Sequence, residues 1–400
     1  MTTSAVRILH ASDLHISVYE RLRSPLDLLG DLDDPLDMSA RGVADKQRLL
    51  KNLIKAWREK RAASSYDPKA LHALAEFIYE NAKRKLDADG KEITEEGDGK
   101  LDAVIITGDL ATTGSVDDVE MVEKFLSAEF DPRVPHRSVE GDYRRATLSA
   151  VTIPILCLPG NHDRFVPTLD LYRHKYPIFF APGGTEFDLQ IANYSHASVR
   201  DPVLLTGDLS QGQRLKVAVL GADLTLRHFG EHEGFYGWLA QGKAHDDTCR
   251  SLVAATRWLR KQKSEGDILC VLWAIHFPPA FPGVRRHSRL LDERKFIEAA
   301  NRAGVDAVLA GHTHQQATYR RPAMSFKVFC CGTTAQHEPR ASVGGRDEQD
   351  PAKGNLFQII TITADSGGRV ELSAKDYRYS NAGSRDGPAD MRWVEVPAAF

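Results

Sequence analysis

The chain has 400 residues, of which 42% are hydrophobic and 27% charged, and this balance is typical of a globular protein rather than a disordered or fibrous one. The formal net charge of -3 gives no global electrostatic reason to expect nucleic acid or an acidic membrane as partner. Apolar runs fall short of the roughly 18 to 20 residues that a membrane-crossing helix needs, and the first residues lack the pattern of a secretory signal. The five cysteines are an odd number without C-x-x-C spacing. We therefore expect a cytoplasmic location, without a disulfide framework or a thiolate zinc site.

Short apolar runs bounded by turn residues recur along the chain and predict β-strands. Several are apolar at consecutive positions rather than alternating, as expected for strands that are covered on both faces. In chain order the runs are 6–11, 103–107, 151–158, 215–220, 268–275, 305–310, 326–331, 357–362 and 370–372.

Helical periodicity lies between these runs. Apolar residues within 71–82 follow the spacing of one helix face, and a similar stripe lies within 49–57. Ser115 and Asp118 resemble a capping box that opens a helix. A further helix over 294–303 is expected to end at the glycine that follows it. Strands that alternate with helices, followed by late strands in series, predict a layered α/β domain.

Residue types that commonly bind metals stand at the ends of five of the strand candidates. In open α/β sheets, ligands bind outside the carboxyl ends of the strands, so these five loops are expected to converge on one crevice. The residues are Asp13 and His15 after the first run, Asp109 after the second, Asn161, His162 and Asp163 after the third, His276 after the fifth, and His312 and His314 after the sixth.

The spacing within these loops also favours a shared site. Asp13 and His15 are separated by one residue, as are His312 and His314. In an extended segment such positions project to the same side, so both members of each pair are predicted to reach one cluster. Glycines precede several of the candidates at points where the chain must turn sharply off a strand.

The candidate ligands comprise carboxylates, imidazoles and a neutral amide oxygen, with no thiolate. This mixture suits Mn, Fe or Zn better than a purely oxygen-ligated Mg or Ca site. There are more ligands than one metal needs, and a bridging carboxylate would let two ions sit roughly 3.5 to 4 Å apart, as in sites for in-line displacement at phosphorus. Two divalent or trivalent ions would lower the pKa of a bridging water to give a hydroxide, and would neutralise charge in the transition state.

The blocks Asp-x-His, Gly-Asp, Gly-Asn-His-Asp, a histidine after a strand, and Gly-His-x-His resemble, in this order, the calcineurin-like metallophosphoesterase superfamily. The resemblance extends over residues 13–314 and includes every motif block of the family. A lone Gly-Asp or Asp-x-His is uninformative, whereas five blocks in order, each after a strand pattern, are specific. The chain is therefore expected to be a hydrolase of phosphoesters.

The resemblance implies a role for each candidate residue. His162 is similar to the family's non-ligand histidine, which protonates the leaving oxygen or steadies the transition state, and Asp163 would orient His162 or a loop amide. The implied ligand sets are Asp13, His15 and His314 for one metal and Asn161, His276 and His312 for the other, with Asp109 bridging both.

The resemblance also implies an α/β fold, a four-layer α-β-β-α sandwich of two mixed sheets with a helical insertion after the first strand. We expect a single domain over 1–400, with an insertion or cap around 18–87 that could form a homodimer contact. The late strands within 326–372 are expected to complete the second sheet.

Within the superfamily, the motifs at 12–15, 108–114 and 158–163 are most similar to bacterial class III cyclic nucleotide phosphodiesterases. In that branch the strand histidine is often followed by a second histidine, whereas Phe277 stands there in this chain. The resemblance thus implies a small phosphoester substrate with nucleotide character, and no membrane partner.

Two other functions remain open. A nuclease of the DNA-repair branch would need a basic groove and a partner ATPase. The near-neutral net charge of the chain argues mildly against such a nuclease. A non-catalytic scaffold could retain the fold without turnover. His228, His232 and the basic run 285–289 could line a substrate pocket or clamp a phosphate, but an exposed, solvated loop is the more frequent meaning of such runs. The other histidines, His10 among them, are interpreted as surface or structural residues.

Overall fold

The computed structural model of the protein describes most of the chain. The described residues are 5–16, 67–87, 89–95, 97, 99–112, 116–127, 147–164, 199–209, 213–225, 242–283, 289–335, 354–365, 367–380 and 392–396. The predicted helix within 49–57, Ser115 and most of the 18–87 insertion lie outside these residues.

The described secondary structure alternates strands and helices before ending in strands. The helices are α1 (Pro68–Asn81), α2 (Val116–Ser127), α3 (Asp246–Lys261) and α4 (Glu293–Ala303). The strands are β1 (Val6–Ala11), β2 (Arg84–Leu86), β3 (Glu92–Thr94), β4 (Ala103–Ile106), β5 (Ile155–Cys157), β6 (Val203–Asp208), β7 (Arg214–Gly221), β8 (Ile268–Ala274), β9 (Ala307–Ala310), β10 (Ala317–Tyr319), β11 (Lys327–Cys330), β12 (Leu356–Ala364), β13 (Val370–Ser380) and β14 (Arg392–Val396).

Most of these strands form two mixed sheets. The first sheet has the order β14-β13-β12-β1-β4-β5, and the second has the order β10-β11-β9-β8-β7-β6. In the first sheet β1, β4 and β5 run parallel. In the second sheet β7, β8, β9 and β11 run parallel. The parallel strands of each sheet therefore end at one edge, where the predicted ligand loops begin.

Three hydrophobic cores among the described residues separate the layers. One core lies between the first sheet and helices α1 and α2. Another lies between the second sheet and helices α3 and α4. The third fills the space between the two sheets. This arrangement confirms the predicted four-layer α-β-β-α sandwich of two mixed sheets.

The consecutive apolar positions of the strands follow from this layering. On β8, Cys270 and Leu272 face the core between the sheets, whereas Val271 and Trp273 face the helices. Successive side chains of a strand point to opposite faces, so a strand with a core on each side is apolar on both faces. The indole Nε1 of Trp273 donates a 2.9 Å hydrogen bond to Thr256 Oγ1, which satisfies the polar atom of a fully buried side chain.

The late strands do not all join the second sheet, contrary to the prediction for 326–372. Strand β11 pairs with β9 in the second sheet, but β12 and β13 extend the first sheet. Strand β12 lies antiparallel to β1, with Ile360 opposite Ile8. In this position β12 buries both of its apolar faces: Ile360 enters the core between the sheets, and Phe357 enters the core under α1.

Five strands were not predicted: β2, β3, β6, β10 and β14. Three of them have only three residues, too few for a periodic pattern to emerge. Strand β6 is partly exposed, and its Leu204 is 61% exposed. These strands take their structure from pairing with neighbours rather than from an apolar pattern.

Local capping signals define the start of α1 and the end of α4. The Asp67 side chain accepts hydrogen bonds from the Lys69 and Ala70 amides, with Pro68 in the first helical turn of α1. Gly304 ends α4 in the left-handed conformation, with φ 68°, as predicted. Among the described residues, none of the helices is both long and apolar enough to cross a bilayer.

Candidate metal centre

All nine predicted site residues lie in the described part of the chain, in the loops that follow β1, β4, β5, β8 and β9. Seven of the nine are no more than 5% exposed, and His312 and His314 are partly exposed. The two sheets bring their loops together at this edge: the His312 amide of the second sheet donates a 2.9 Å hydrogen bond to Asp13 Oδ2 of the first.

The backbone of these loops differs from the predicted extended geometry. Five candidate ligands adopt the left-handed conformation, with φ between 50° and 68°. Side chains other than glycine rarely adopt this conformation, and such residues cluster at functional sites. The loops after β1 and β4 hold each other in it, because the amides of the first loop donate to carbonyls of the second at 3.0 Å. The five are Asp13, His15, Asp109, His312 and His314.

The first group of donor atoms combines Asp13, His15 and His314. Their ligand atoms lie within 4.8 Å of one another. Asp13 Oδ1 is 3.2 Å from His314 Nε2 and 4.0 Å from His15 Nε2. The two Nε2 atoms are 3.4 Å apart. The carboxylate and both imidazole nitrogens therefore face a common point.

The second group combines Asp109, His276 and His312, again within 4.8 Å. His276 Nε2 lies 3.2 Å from Asp109 Oδ2 and 3.1 Å from Asn161 Oδ1. The ligand atoms of a third group, His15, Asp109 and His162, also lie within 4.8 Å of one another. Asp109 therefore lies between the histidines of both sheets.

Burial and charge act against each other on these groups. Burial lowers the pKa of His15 to about 3 and that of His312 well below its usual range, so both imidazoles are neutral, as ligands must be. Burial alone would raise the pKa of the Asp109 carboxyl, but the neighbouring histidines hold it well below its usual range. Burial also opposes protonation of His276, yet Asp109 raises the pKa of this imidazole to about 9. The Asp109 carboxylate is thus ionised.

The residues fit a bound metal. His312 Nε2 is buried and makes no hydrogen bond in the described structure. Leaving such an atom unsatisfied costs about 1–3 kcal/mol, a cost that coordination to a cation would remove. The donor set of carboxylate, imidazole and amide oxygen suits a borderline divalent ion.

A sequence model of the calcineurin-like phosphoesterase family matches residues 6–316. The chain belongs to this family. Family membership supports metal-dependent hydrolysis of phosphoesters, and the grouped donor atoms at the sheet edge agree with it. No curated protein matches the chain significantly in sequence.

Several solved structures are similar to the chain at low identity. GAP50, the anchor in the inner membrane complex of Plasmodium, aligns at 10% identity and TM-score 0.44 over 99% of this chain and 90% of that one. A putative 5'-nucleotidase from Staphylococcus aureus aligns at 12% identity and TM-score 0.41, over 99% of this chain and 55% of that one. The calcineurin-like phosphoesterase YfkN from Bacillus subtilis aligns at 10% identity and TM-score 0.36, over 93% and 91% of the two chains.

Two residues that support candidate ligands of this phosphoesterase, Thr107 and Thr333, were not singled out as site residues in the sequence. The Thr107 carbonyl lies 2.6 Å from His276 Nδ1, which leaves Nε2 for the ligand cluster. Thr333 Oγ1 donates a 3.0 Å hydrogen bond to the Asp13 carbonyl. The two adjacent threonines that follow the predicted strand 326–331 were the available signal for Thr333.

His162 and Asp163 take different positions at the edge of the cluster. His162 Nδ1 lies 2.9 Å from the Thr112 carbonyl, and the His162 ring is 4.6 Å from that of His15. Asp163 is fully buried and turns away from the ligands, accepting hydrogen bonds from the amides of Leu110, Ala111 and Gly160. Burial and the charge of Asp109 raise the pKa of Asp163 to about 7. Its contacts indicate that Asp163 organises loop amides rather than the His162 ring.

We expect Asp163→Asn to lower the free energy of unfolding by about 1–3 kcal/mol, because an amide side chain has one acceptor oxygen and would leave a buried backbone N–H unsatisfied. Thermal denaturation would measure the change. The control is Asp365→Asn, where one oxygen of an exposed side chain accepts both amides, from Gly367 and Arg369. Equal stability of Asp163→Asn and the wild type would contradict this account.

Close packing explains the glycine before the Asn-His-Asp block. A Cβ on Gly160 would lie 2.1 Å from Asp109 Oδ1 and 2.5 Å from the Asp109 amide nitrogen. Gly160 does not have a positive φ, so the constraint is space around the carboxylate rather than the turn that the sequence suggested. Gly108, by contrast, does adopt a positive φ, of 103°.

Gly160→Ala is therefore expected to weaken metal binding roughly 10- to 100-fold, since overpacking costs about 1–3 kcal/mol and the strain falls on Asp109. Calorimetric titration with Mn²⁺ would measure it. Gly332→Ala is the matched control at the same edge, because a Cβ there meets its nearest atoms at an ordinary 3.4 Å. Unchanged affinity in Gly160→Ala would show that the Asp109 carboxylate need not stay where the structure places it.

Phe277, which follows the candidate ligand His276, is fully buried against the candidate ligands. Its ring centroid lies 4.4 Å from that of His312 and 4.9 Å from that of His276. Phe277 therefore supports two imidazoles by packing. His228, His232 and residues 285–288 of the basic run lie outside the described residues.

Proposed function

We propose that this chain is a dinuclear metallophosphodiesterase that hydrolyses a small, nucleotide-like phosphodiester. Family membership supports hydrolysis of a phosphoester with metal ions. The single observation that carries the dinuclear proposal is the grouping of Asp13, His15 and His314 beside a second group of His276 and His312, with Asp109 between them. These donors are more than one ion would bind, because catalytic metal sites typically have about three protein ligands per ion.

In this proposal each sheet contributes to both metal sites. Asp13 and His15, from the loop after β1, bind one ion together with His314. His276 and His312 bind the other with the amide oxygen of Asn161, which lies 3.1 Å from His276 Nε2. The Asp109 carboxylate, which lies between the two groups of donors, would contribute to holding both ions. We propose Mn, Fe or Zn as the ions because of the nitrogen-rich donor set.

When bound, two such ions would activate a water and neutralise the charge on the phosphoryl oxygens. The surrounding residues then have separate tasks. Asp109 is held in place by the His162 amide, which donates a 2.8 Å hydrogen bond to its Oδ1. The hydrogen bond of His162 Nδ1 to the Thr112 carbonyl orients the imidazole ring. In this orientation Nε2 can donate a proton to the leaving oxygen.

The test is hydrolysis of bis(p-nitrophenyl) phosphate, p-nitrophenyl phosphate, cyclic nucleotides and single-stranded DNA by the chain loaded with Mn²⁺, Fe²⁺ or Zn²⁺. We expect turnover of the diesters, two metal ions per chain, and loss of activity after chelation. Preference for the monoester would overturn the phosphodiesterase assignment, and preference for DNA would favour a nuclease. Metal binding without turnover of any ester would favour a scaffold.

A further inference from the structure

Polar side chains lie between the two sheets, directly beneath the candidate metal centre, where the core is otherwise apolar. They continue the inner faces of β1 and β12 towards the ligand edge. His10 and Thr107 are fully buried, Gln358 is 1% exposed and Gln316 is 7% exposed. Burying polar groups is costly unless they are hydrogen-bonded, so their partners indicate why they are there.

These side chains form a continuous chain of hydrogen bonds that begins at a proposed ligand. His276 Nδ1 contacts the Thr107 carbonyl at 2.6 Å. Thr107 Oγ1 lies 3.0 Å from His10 Nε2, and His10 Nδ1 lies 3.4 Å from Gln358 Oε1. A histidine of the second sheet is thereby linked to three residues of the first.

The other end of the chain is fixed by the backbone and by a carboxylate. The Gly332 amide donates a 2.8 Å hydrogen bond to Gln316 Oε1, so Gln316 Nε2 must point the other way, towards Asp376 Oδ1 at 2.7 Å. Gln358 Nε2 donates to the same oxygen at 3.2 Å. The carboxylate accepts from both amides, which sets the orientation of Gln358.

With Gln358 oriented, the direction of every remaining hydrogen bond follows. Gln358 presents its oxygen to His10, so His10 Nδ1 donates and Nε2 accepts. Burial lowers the pKa of His10 to about 4, which keeps the ring neutral with one donor and one acceptor. Thr107 then donates its hydroxyl proton to His10 at 3.0 Å rather than to the Ala11 carbonyl, which lies 3.5 Å from Oγ1, and this holds the Thr107 side chain.

Thr107 needs this restraint because of the residue that follows it. Gly108 has a φ of 103° and lacks a Cβ, which makes the adjoining peptide a flexible point of the backbone. The other hydrogen bond to the Thr107 carbonyl, from Ser12 Oγ, is long at 3.4 Å. A rotation of this peptide plane would turn the carbonyl away from His276 Nδ1. Nε2 of His276 would then lose its alignment with Asp109 and Asn161.

We propose that His10 is a positioning residue for the metal centre: by holding Thr107, it keeps His276 Nε2 directed at the ligand cluster. The proposal rests on the proposed function in one respect, that His276 binds a metal. It assigns a role to a histidine whose residue type and position in β1 otherwise indicate only a satisfied core residue.

The experiment compares variants that break the chain at different points. His10→Phe removes both hydrogen bonds, Thr107→Val removes the hydroxyl with little change of shape, and Thr107→Ser retains it. We expect His10→Phe and Thr107→Val each to weaken Mn²⁺ binding roughly 10-fold, as for other residues that support ligands. The double variant should be no weaker than either single variant, because both act through one contact. Thr107→Ser should bind as the wild type does.

A second readout is independent of metal and activity. In the metal-free protein, the imidazole proton on His276 Nδ1 should give a slowly exchanging downfield resonance, which is lost in His10→Phe and Thr107→Val. Ile360→Val, in the same core, controls for a simple loss of stability: it should lower the melting temperature but preserve this resonance and Mn²⁺ affinity.

Three results would overturn the proposal: a wild-type His276 resonance in both His10→Phe and Thr107→Val, effects of the two substitutions that add, or equal loss of Mn²⁺ affinity in Ile360→Val. If His10→Phe does not fold, the proposal is tested by comparing Mn²⁺ affinity and the His276 resonance in Thr107→Val with those in Thr107→Ser. If the wild type binds no Mn²⁺, the proposed function fails, whereas the resonance still tests the role of His10.

Discussion

Asp109→Ala is expected to lower phosphodiesterase turnover by at least ~10³-fold, because a catalytic metal contributes several kcal/mol of transition-state stabilisation and each 1.36 kcal/mol is a factor of ten. The carboxylate lies 3.2 Å from His276 Nε2 and accepts the His162 amide at 2.8 Å. Its removal separates the two donor groups and releases the loop that carries His162. Metal analysis should show fewer than two ions per chain, and turnover should not recover with excess Mn²⁺.

The matched control for this variant is an aspartate at the other end of β4. Asp102 precedes β4 at the end opposite to Asp109, where it accepts a hydrogen bond from the Arg7 amide at 2.8 Å. Asp102→Ala should alter stability but neither metal content nor turnover. Full metal content and near wild-type turnover in Asp109→Ala would contradict the bridging role.

His162→Ala is expected to lower turnover by roughly 10²- to 10⁴-fold, the usual contribution of a general acid, while both metals remain bound. The loss should depend on the leaving group. A p-nitrophenolate leaves readily without a proton, so the loss should be smaller for bis(p-nitrophenyl) phosphate than for a dialkyl or cyclic nucleotide diester. Steady-state kinetics on both substrates, together with metal analysis, would measure this.

Two further variants complete the test of His162. His72→Ala, on α1 and away from the ligand cluster, should behave as the wild type does. His312→Ala should lose metal, since His312 Nε2 is buried and has no other partner in the described structure. If His162→Ala loses as much metal as His312→Ala, His162 is a ligand and not the proton donor. An equal loss of turnover for both leaving groups would also exclude the proton donor.

The sequence predicted the layered fold because strands with a core on each side leave a distinct pattern. The runs that became β4, β8 and β9 are apolar at successive positions, and each precedes a candidate ligand. The five short or exposed strands left no such pattern. The assignment of β12 and β13 to the second sheet was wrong, because an apolar strand pattern states that a strand is covered and not which neighbour it pairs with.

The identities of the site residues were also predicted from the sequence, since their types and their positions at strand ends are local properties. Their arrangement was not. Extended geometry was expected for Asp13-x-His15, whereas both residues are left-handed and held by the loop after β4. His10 was interpreted as an ordinary structural histidine, because its link to His276 passes through a threonine carbonyl that no motif records.

The sequence by itself therefore determined the chemistry that gathers at the sheet edge: carboxylates, imidazoles and an amide placed where parallel strands end. Only the tertiary structure decided which of them meet. His15 and His314 are separated by 299 residues and lie 3.4 Å apart, a distance set by the packing of two sheets across a shared core. Spacing along the chain carries no information about that packing, because it depends on burying apolar faces that belong to distant segments.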